Sequence, residues 1–180
     1  MSDLKYIYHR TKPAHLDGII SYKHIYNQID RQKRDIYHEH EGSKNRKIAK
    51  SSISLHLYKS KEYWKYYDEA IGIYFRPYLD KPKLKPGESA IVLDFQKIRE
   101  DGIKWLINTE ENHGFYLDKP GVEALSPYGG ERGISYDETN WKLCKTNNLT
   151  NRSEVVLENS IYITPYLVEI LTKEEEFSTN

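Results

Sequence analysis

The chain has almost nothing with which to cross-link itself or to cross a membrane. A single cysteine, Cys144, stands among 180 residues, which excludes an internal disulfide and a zinc centre built from paired thiolates. There is no apolar N-terminal run of the signal-peptide kind and no long apolar stretch, so the expected setting is the cytoplasm, without membrane contact. In that setting the sequon Asn148-Leu149-Thr150 carries no glycan. Excess charge is missing as well: Lys plus Arg and Asp plus Glu both number 27. No global field therefore draws the chain to nucleic acid or to a charged surface, and any electrostatic preference has to be local. No glycine-rich phosphate loop follows a candidate strand and no nucleophile elbow occurs, which removes the common nucleotide-binding and hydrolase signatures.

What is present is tyrosine, 16 of them. A tyrosine can wall a core or a cleft while its hydroxyl reaches water or a ligand, which suits a polar pocket, although skewed composition gives the same count. The length is that of one domain able to bury its own core, expected over residues 1–172, with residues 173–180 a polar acidic tail.

Alternation over residues 4–11 sets Tyr6, Tyr8 and Arg10 against Ile7, His9 and Thr11 and predicts a first strand. Pro13 then opens a short helix whose apolar positions are Leu16, Ile19 and Ile20. Further strands are expected at residues 51–55, 70–75, 89–95, after Gly102, at 141–144, at 152–157 and from 161 to 172, with an aromatic helix at 61–67. Pro82, Pro86 and Gly87 mark a turn-rich connection. Residues 109–140, with little apolar periodicity, read as a long irregular insertion.

Residues 23–50 show no clear regular structure but are locally basic. Lys23, Arg31, Lys33, Arg34, Lys44, Arg46, Lys47 and Lys50 stand against Asp30, Asp35, Glu39 and Glu41. Tyr22, Tyr26 and Tyr37 interleave with them, a pattern that serves phosphate and base contacts as well as it serves a solvated loop. His38-Glu39-His40-Glu41 lacks the spacing of a helical zinc motif, and no metal site is expected. Glu154 enters a run of β-branched and apolar residues. A carboxylate there sits at the mouth of a strand, where the sheet fixes its backbone while its head faces a cleft, although most such acids are merely solvated. Glu154 is the candidate catalytic residue.

The string Tyr8-His9-Arg10-Thr11 followed by Leu16 and Ile19-Ile20, then Ser52-Ile53-Ser54-Leu55, then Ser153-Glu154-Val155-Val156 with Ile161 and Tyr166-Leu167, resembles the ADP-ribosyltransferase fold. The opening and the Glu-Val strand are most similar to the DarT group of DNA-modifying toxins, while the Ser-x-Ser strand is closer to the bacterial-toxin branch with its Arg, Ser-Thr-Ser and Glu pattern. The resemblance implies an α+β fold, with two small, mostly antiparallel sheets around an NAD cleft and short peripheral helices. It implies mono-ADP-ribosyl transfer from NAD to DNA, RNA or protein in a toxin or phage-host conflict setting. Carried onto this chain, it makes Glu154 the catalytic acid and His9, next to Thr11, the contact to the nicotinamide-side ribose. Arg10 takes that role if the arginine branch applies. Ser52 and Ser54 would brace the glutamate, and Arg31 and Arg34 lie where a phosphate-contacting arginine is expected. Lys44, Arg46, Lys47 and Arg152 would face the acceptor; Arg152 stands where arginine-modifying relatives carry an acid, which leans the acceptor toward nucleic acid. Two rivals share the residues: an RNA 2'-phosphotransferase-like enzyme and an inactive interaction or inhibitor module.

Overall fold

A computed structural model describes residues 4–34, 72–108, 123–125, 132–144, 149–151 and 153–174. Among the described residues, ten strands build two antiparallel sheets. They are β1 (Tyr6–Thr11), β2 (His24–Ile25), β3 (Gly72–Pro77), β4 (Ser89–Asp94), β5 (Trp105–Asn108), β6 (Glu123–Leu125), β7 (Arg132–Tyr136), β8 (Glu154–Glu158), β9 (Ile161–Tyr162) and β10 (Leu167–Thr172). The larger sheet runs β10-β4-β1-β3-β8-β5-β7-β6, and β2 with β9 forms a second of two strands. Among the described residues three short helices accompany them: α1 (Pro13–Tyr22), α2 (Gln28–Arg34) and α3 (Phe95–Glu100). The α+β class with antiparallel sheets and short helices is the one expected, although the two sheets are of very unequal size. Among the described residues no helix is long and apolar enough to cross a membrane.

The alternating opening forms β1, and Pro13 starts α1 at a position where its missing amide costs no bond. Leu16 and Ile19 are buried beneath the helix, whereas Ile20 turns outward at 46% exposure. The helix stops at Lys23, whose φ of 56° is left-handed and whose amide bonds back to the Ile20 carbonyl. Beyond it, where no regular structure was expected, β2 and α2 follow. Asp94 does end β4, but it does so as the cap of α3, accepting the Lys97 amide at 2.9 Å.

Two expectations are corrected. Residues 141–144 form a 3-10 turn, Trp141–Leu143, rather than a strand. Trp141 is buried edge-on against Phe95 and Trp105, at 5.7 and 5.1 Å between ring centroids, and a turn delivers that single ring where a strand would send neighbours to both sides. Arg99 lies 4.4 Å over the Trp141 ring and pairs with Glu138 at 2.7 Å. Burial pushes the Glu138 carboxyl up, but bonds from Arg99 and from the Trp105 indole outweigh it and hold the group below the usual range. Residues 109–140 are not irregular throughout: β6 and β7 lie within them and extend the sheet outward from β5.

One face of the large sheet carries the main core, with Ile7, Ile91, Leu93, Phe75, Val155, Leu157 and Ile107 under Leu16 and Ile19 of α1. The other face holds a smaller cluster of Tyr8, Ala90 and Val92 with Tyr78, Leu84 and Leu171 against it. Burial on both faces is why β8 and β4 read as continuous apolar runs.

Candidate active site

Strand β8 lies at the middle of the large sheet, between β3 and β5. Glu154 is its first residue and is only 5% exposed. A turn fixes the backbone that leads to it: the Ser153 amide bonds the Thr150 carbonyl at 3.0 Å, and the Ser153 hydroxyl accepts the Thr150 amide at 2.9 Å. Ser153 itself is fully buried. Across the sheet, Asn108 of β5 is the register partner of Glu154. On the other side the β3–β8 ladder pairs Phe75 with Val155, and one further step brings Arg76 opposite Glu154. The half-buried Arg76 donates from Nη1 to the Ser153 carbonyl at 3.2 Å. A buried carboxylate thus sits beside a guanidinium that is anchored to the peptide immediately before it. The sequence singles out Glu154 as a candidate and does not single out Arg76. The only local signal was a cation between Phe75 and Pro77 at a strand end, which looks like an ordinary surface charge.

The first strand reaches this site through a short contact. β1 pairs with β3 at Ile7↔Pro77 and Tyr8↔Arg76, while its ladder with β4 runs the full length from Tyr6 to Thr11. Tyr8, Arg76 and Glu154 therefore form one row across three strands. Residues from His9 onward have left β3, and the sheet opens there. His9 is buried, on the side of Ile7, with its ring 5.4 Å from that of Phe75. Thr11 is buried on the same side, its hydroxyl reaching the Lys12 carbonyl at 3.5 Å. Arg10 is exposed on the side of Tyr8; its guanidinium lies 5.9 Å from the Tyr8 ring and donates to the Lys83 carbonyl at 3.3 Å. Carried through the ladders, side-chain alternation aligns Glu154 with Tyr8 and Arg10, and His9 with Phe75 and Val155. Tyr78 stands edge-on to Tyr8 at 6.1 Å, and burial, then the Glu169 carboxylate, raise its hydroxyl above the usual range.

Arg31 and Arg34 stand apart from this row, on α2. Arg31 donates to the Tyr26 carbonyl at 2.7 Å, and Arg34 lies over the Tyr26 ring at 4.7 Å. The helix is tied to the loop after β8, since Ser160 accepts the Asn27 amide at 2.9 Å and donates to the Asp30 carboxylate. These arginines are thus nearer the Glu158 end of β8 than the Glu154 end. Ser52, Ser54, Lys44, Arg46, Lys47 and Arg152 lie outside the described residues, as do His38 to Glu41, the strand expected at 51–55 and the helix expected at 61–67. Among the described residues no group of His, Cys, Asp and Glu is arranged to hold a metal.

Residues 4–174 match a family of unknown function, DUF5863. Uncharacterized protein 422L of Invertebrate iridescent virus 6 is 32% identical over 181 residues, an alignment spanning 98% of this chain and 89% of the viral protein. Among solved structures, the fold is similar to that of Thermus sp. 2.9 DarT in complex with carba-NAD+, with a TM-score of 0.49 and 11% identity over 94% of this chain and 83% of that one. It is similar also to the same DarT in complex with ADP-ribosylated single-stranded DNA, with a TM-score of 0.46 and 10% identity over 88% and 77% of the two chains.

Proposed function

We propose that this chain, which belongs to the family of unknown function DUF5863, transfers ADP-ribose from NAD to a macromolecular acceptor, nucleic acid ahead of protein, with Glu154 as the catalytic carboxylate. The observation that carries the reading is the setting of Glu154: a buried acid on the first residue of a central strand, its backbone locked by the Thr150–Ser153 turn and by Arg76. It is supported by the order of motifs along the chain, which follows that of the ADP-ribosyltransferases from the His-x-Thr opening to the Glu-Val strand.

When NAD is bound, positive charge develops on its ribose as the bond to nicotinamide breaks. Glu154 holds the ribose hydroxyls and faces that charge, so its carboxylate stabilises the transition state more than the ground state. Arg76 keeps the carboxylate's strand end in place, which makes it a positioning residue. His9, with Thr11 beside it on the buried side of β1, holds the nicotinamide-side ribose where β1 leaves β3. Ser52 and Ser54 brace the glutamate in this reading, and Arg31 and Arg34 take the phosphates. Lys44, Arg46, Lys47 and Arg152 meet the acceptor. Toxin or phage-host conflict is the setting that suits such an activity.

The test is incubation with adenylate-labelled NAD and separate pools of DNA, RNA and protein. Label is expected in a nucleic-acid pool, with nicotinamide released. Glu154→Gln keeps the shape and removes the charge, so transfer should fall on the order of 100-fold or more while the circular dichroism spectrum stays unchanged. Wild-type levels of transfer in that variant would remove Glu154 from the site, and label confined to the protein pool would overturn the choice of acceptor.

A further inference from the structure

One end of the large sheet is an open edge. β10 pairs with β4 on its inner side, and among the described residues no strand pairs with its outer side. Leu167 and Val168 are 41% and 45% exposed there. The Lys173 amide bonds the Glu88 carbonyl at 3.1 Å, and the Lys173 carbonyl accepts the Gly87 amide at 3.0 Å, so Lys173 turns its backbone groups inward. Alternation turns those of Leu171 and Glu169 inward as well, and aims the amides and carbonyls of Ile170 and Thr172 at the open edge. A bulge between Leu167 and Glu169 ends the regular stretch, which leaves residues 169–173 as a template for another strand. On one face of that stretch stand Glu169, Leu171 and Lys173. Leu171 packs on the cluster of Tyr8, Ala90 and Val92, and Glu169 is bonded by the Tyr78 hydroxyl. Glu88, across the ladder from Lys173, has its carboxylate engaged by the Lys85 amide at 2.8 Å. Lys173 and Glu169 are both exposed.

We infer that β10 pairs with β10 of a second copy of this chain, antiparallel and centred on Leu171, so that the two large sheets join into one. In that register Ile170 lies opposite the partner's Thr172 and exchanges an amide–carbonyl bond with it in each direction. Leu171 meets the partner's Leu171, and Glu169 meets the partner's Lys173, both in the closer, non-hydrogen-bonded kind of pair where side chains touch. The two-fold symmetry makes the hydrogen-bonded and the charged pairs each occur twice. Charge selects this arrangement. The run Glu169-Ile170-Leu171-Thr172-Lys173 is its own complement, because acid, apolar and base at alternate positions become base, apolar and acid when the strand is reversed. Centred on Ile170 instead, the acid would face a leucine, and a parallel pairing in register would set acid beside acid and base beside base. A lone lysine on an edge keeps other strands away. An acid and a base placed evenly about Leu171 admit a copy. Neither Glu154 nor Arg76 takes part, so the pairing does not rest on the proposed transfer.

The experiment is sedimentation equilibrium of the full chain, without NAD, from about 1 μM to about 1 mM. The mass should rise with concentration from that of one chain toward twice that value. Ile170→Pro removes an outward amide and leaves the ladder with β4 intact, so this variant should keep the wild-type circular dichroism spectrum and stay monomeric. Glu169→Lys and Lys173→Glu each turn both cross-strand attractions into repulsions, and each should weaken association about 10-fold or more. An equimolar mixture of those two variants sets acid against base again and should associate about as tightly as the wild type. Damage within either chain would not be repaired by mixing. The inference fails if the wild-type chain stays monomeric throughout, if Ile170→Pro associates as the wild type does, or if mixing the two charge variants restores nothing.

Discussion

His9 and Arg10 are neighbours on β1 with opposite surroundings: one ring is buried against Phe75, and one guanidinium is exposed over Tyr8. Only one of them can serve the proposed NAD site, because successive side chains of a strand leave on opposite sides. Along an unbroken sheet Arg10 would share the side of Glu154, but the β1–β3 ladder ends at Tyr8↔Arg76, one residue before His9. Alternation fixes a common face only along a continuous ladder, and His9 stands at the point of divergence while Arg10, on the side of Tyr8, is engaged with the Lys83 carbonyl. His9→Ala is therefore expected to weaken NAD binding about 10-fold, the loss of one or two hydrogen bonds. Arg10→Ala should leave it nearly unchanged. Calorimetric titration with NAD checks both, alongside a thermal melt, because His9 also packs on Phe75. The reverse result would assign the chain to the arginine branch. Glu154 could be singled out as a candidate from the sequence because a lone acid entering Val155-Val156-Leu157 is a local signal. Arg76 could not, because its significance comes from a register between two strands that lie far apart in the chain.

Elements with a periodic signature could be read, and those held by distant partners could not. β1, α1, β4 and β8 follow from alternation, Pro13 and apolar runs. α2 has no apolar stripe. Asn27 caps it by accepting the Asp30 amide at 2.9 Å, and Ser160, from the loop after β8, joins that cap from across the fold. β7 escaped for a different reason, since Gly133 interrupts the alternation that would announce it. The α2 cap gives a prediction at this scale. Ser160→Ala removes an acceptor from the Asn27 amide and a donor from the Asp30 carboxylate, and should cost about 1 kcal/mol of stability. The figure sits low in the usual range because Ser160 is half-buried and water can take over part of its role. A urea titration measures it, and an unchanged midpoint would mean that α2 is held by its own cap alone.

Across the whole molecule, the tyrosines that serve as walls also set its response to alkali. Burial first, and then the bond to Asp101, push the Tyr166 hydroxyl up to about 12; the hydroxyl donates to Asp101 Oδ2 at 2.7 Å. Burial, followed by the neighbouring Cys144, raises Tyr136 as well, and Tyr78 moves in the same direction. In the unfolded chain these hydroxyls lose their protons near 10.0. Between there and about 12 the folded protein holds protons that the unfolded chain has released, so stability falls as the pH rises. The contribution of Tyr166 is complete below pH 10.0 and is lost through the interval up to about 12. Tyr166→Phe is consequently expected to be less stable than wild type near neutrality, where the bond to Asp101 is missing. Its stability should decline less steeply at alkaline pH, because the group that titrates differently in the two states is gone. Urea midpoints of both proteins, taken at neutral pH and again between about 10 and about 12, should show the gap between them narrowing. A constant gap would mean that Tyr166 keeps an ordinary hydroxyl and that the alkaline response belongs to Tyr136 and Tyr78.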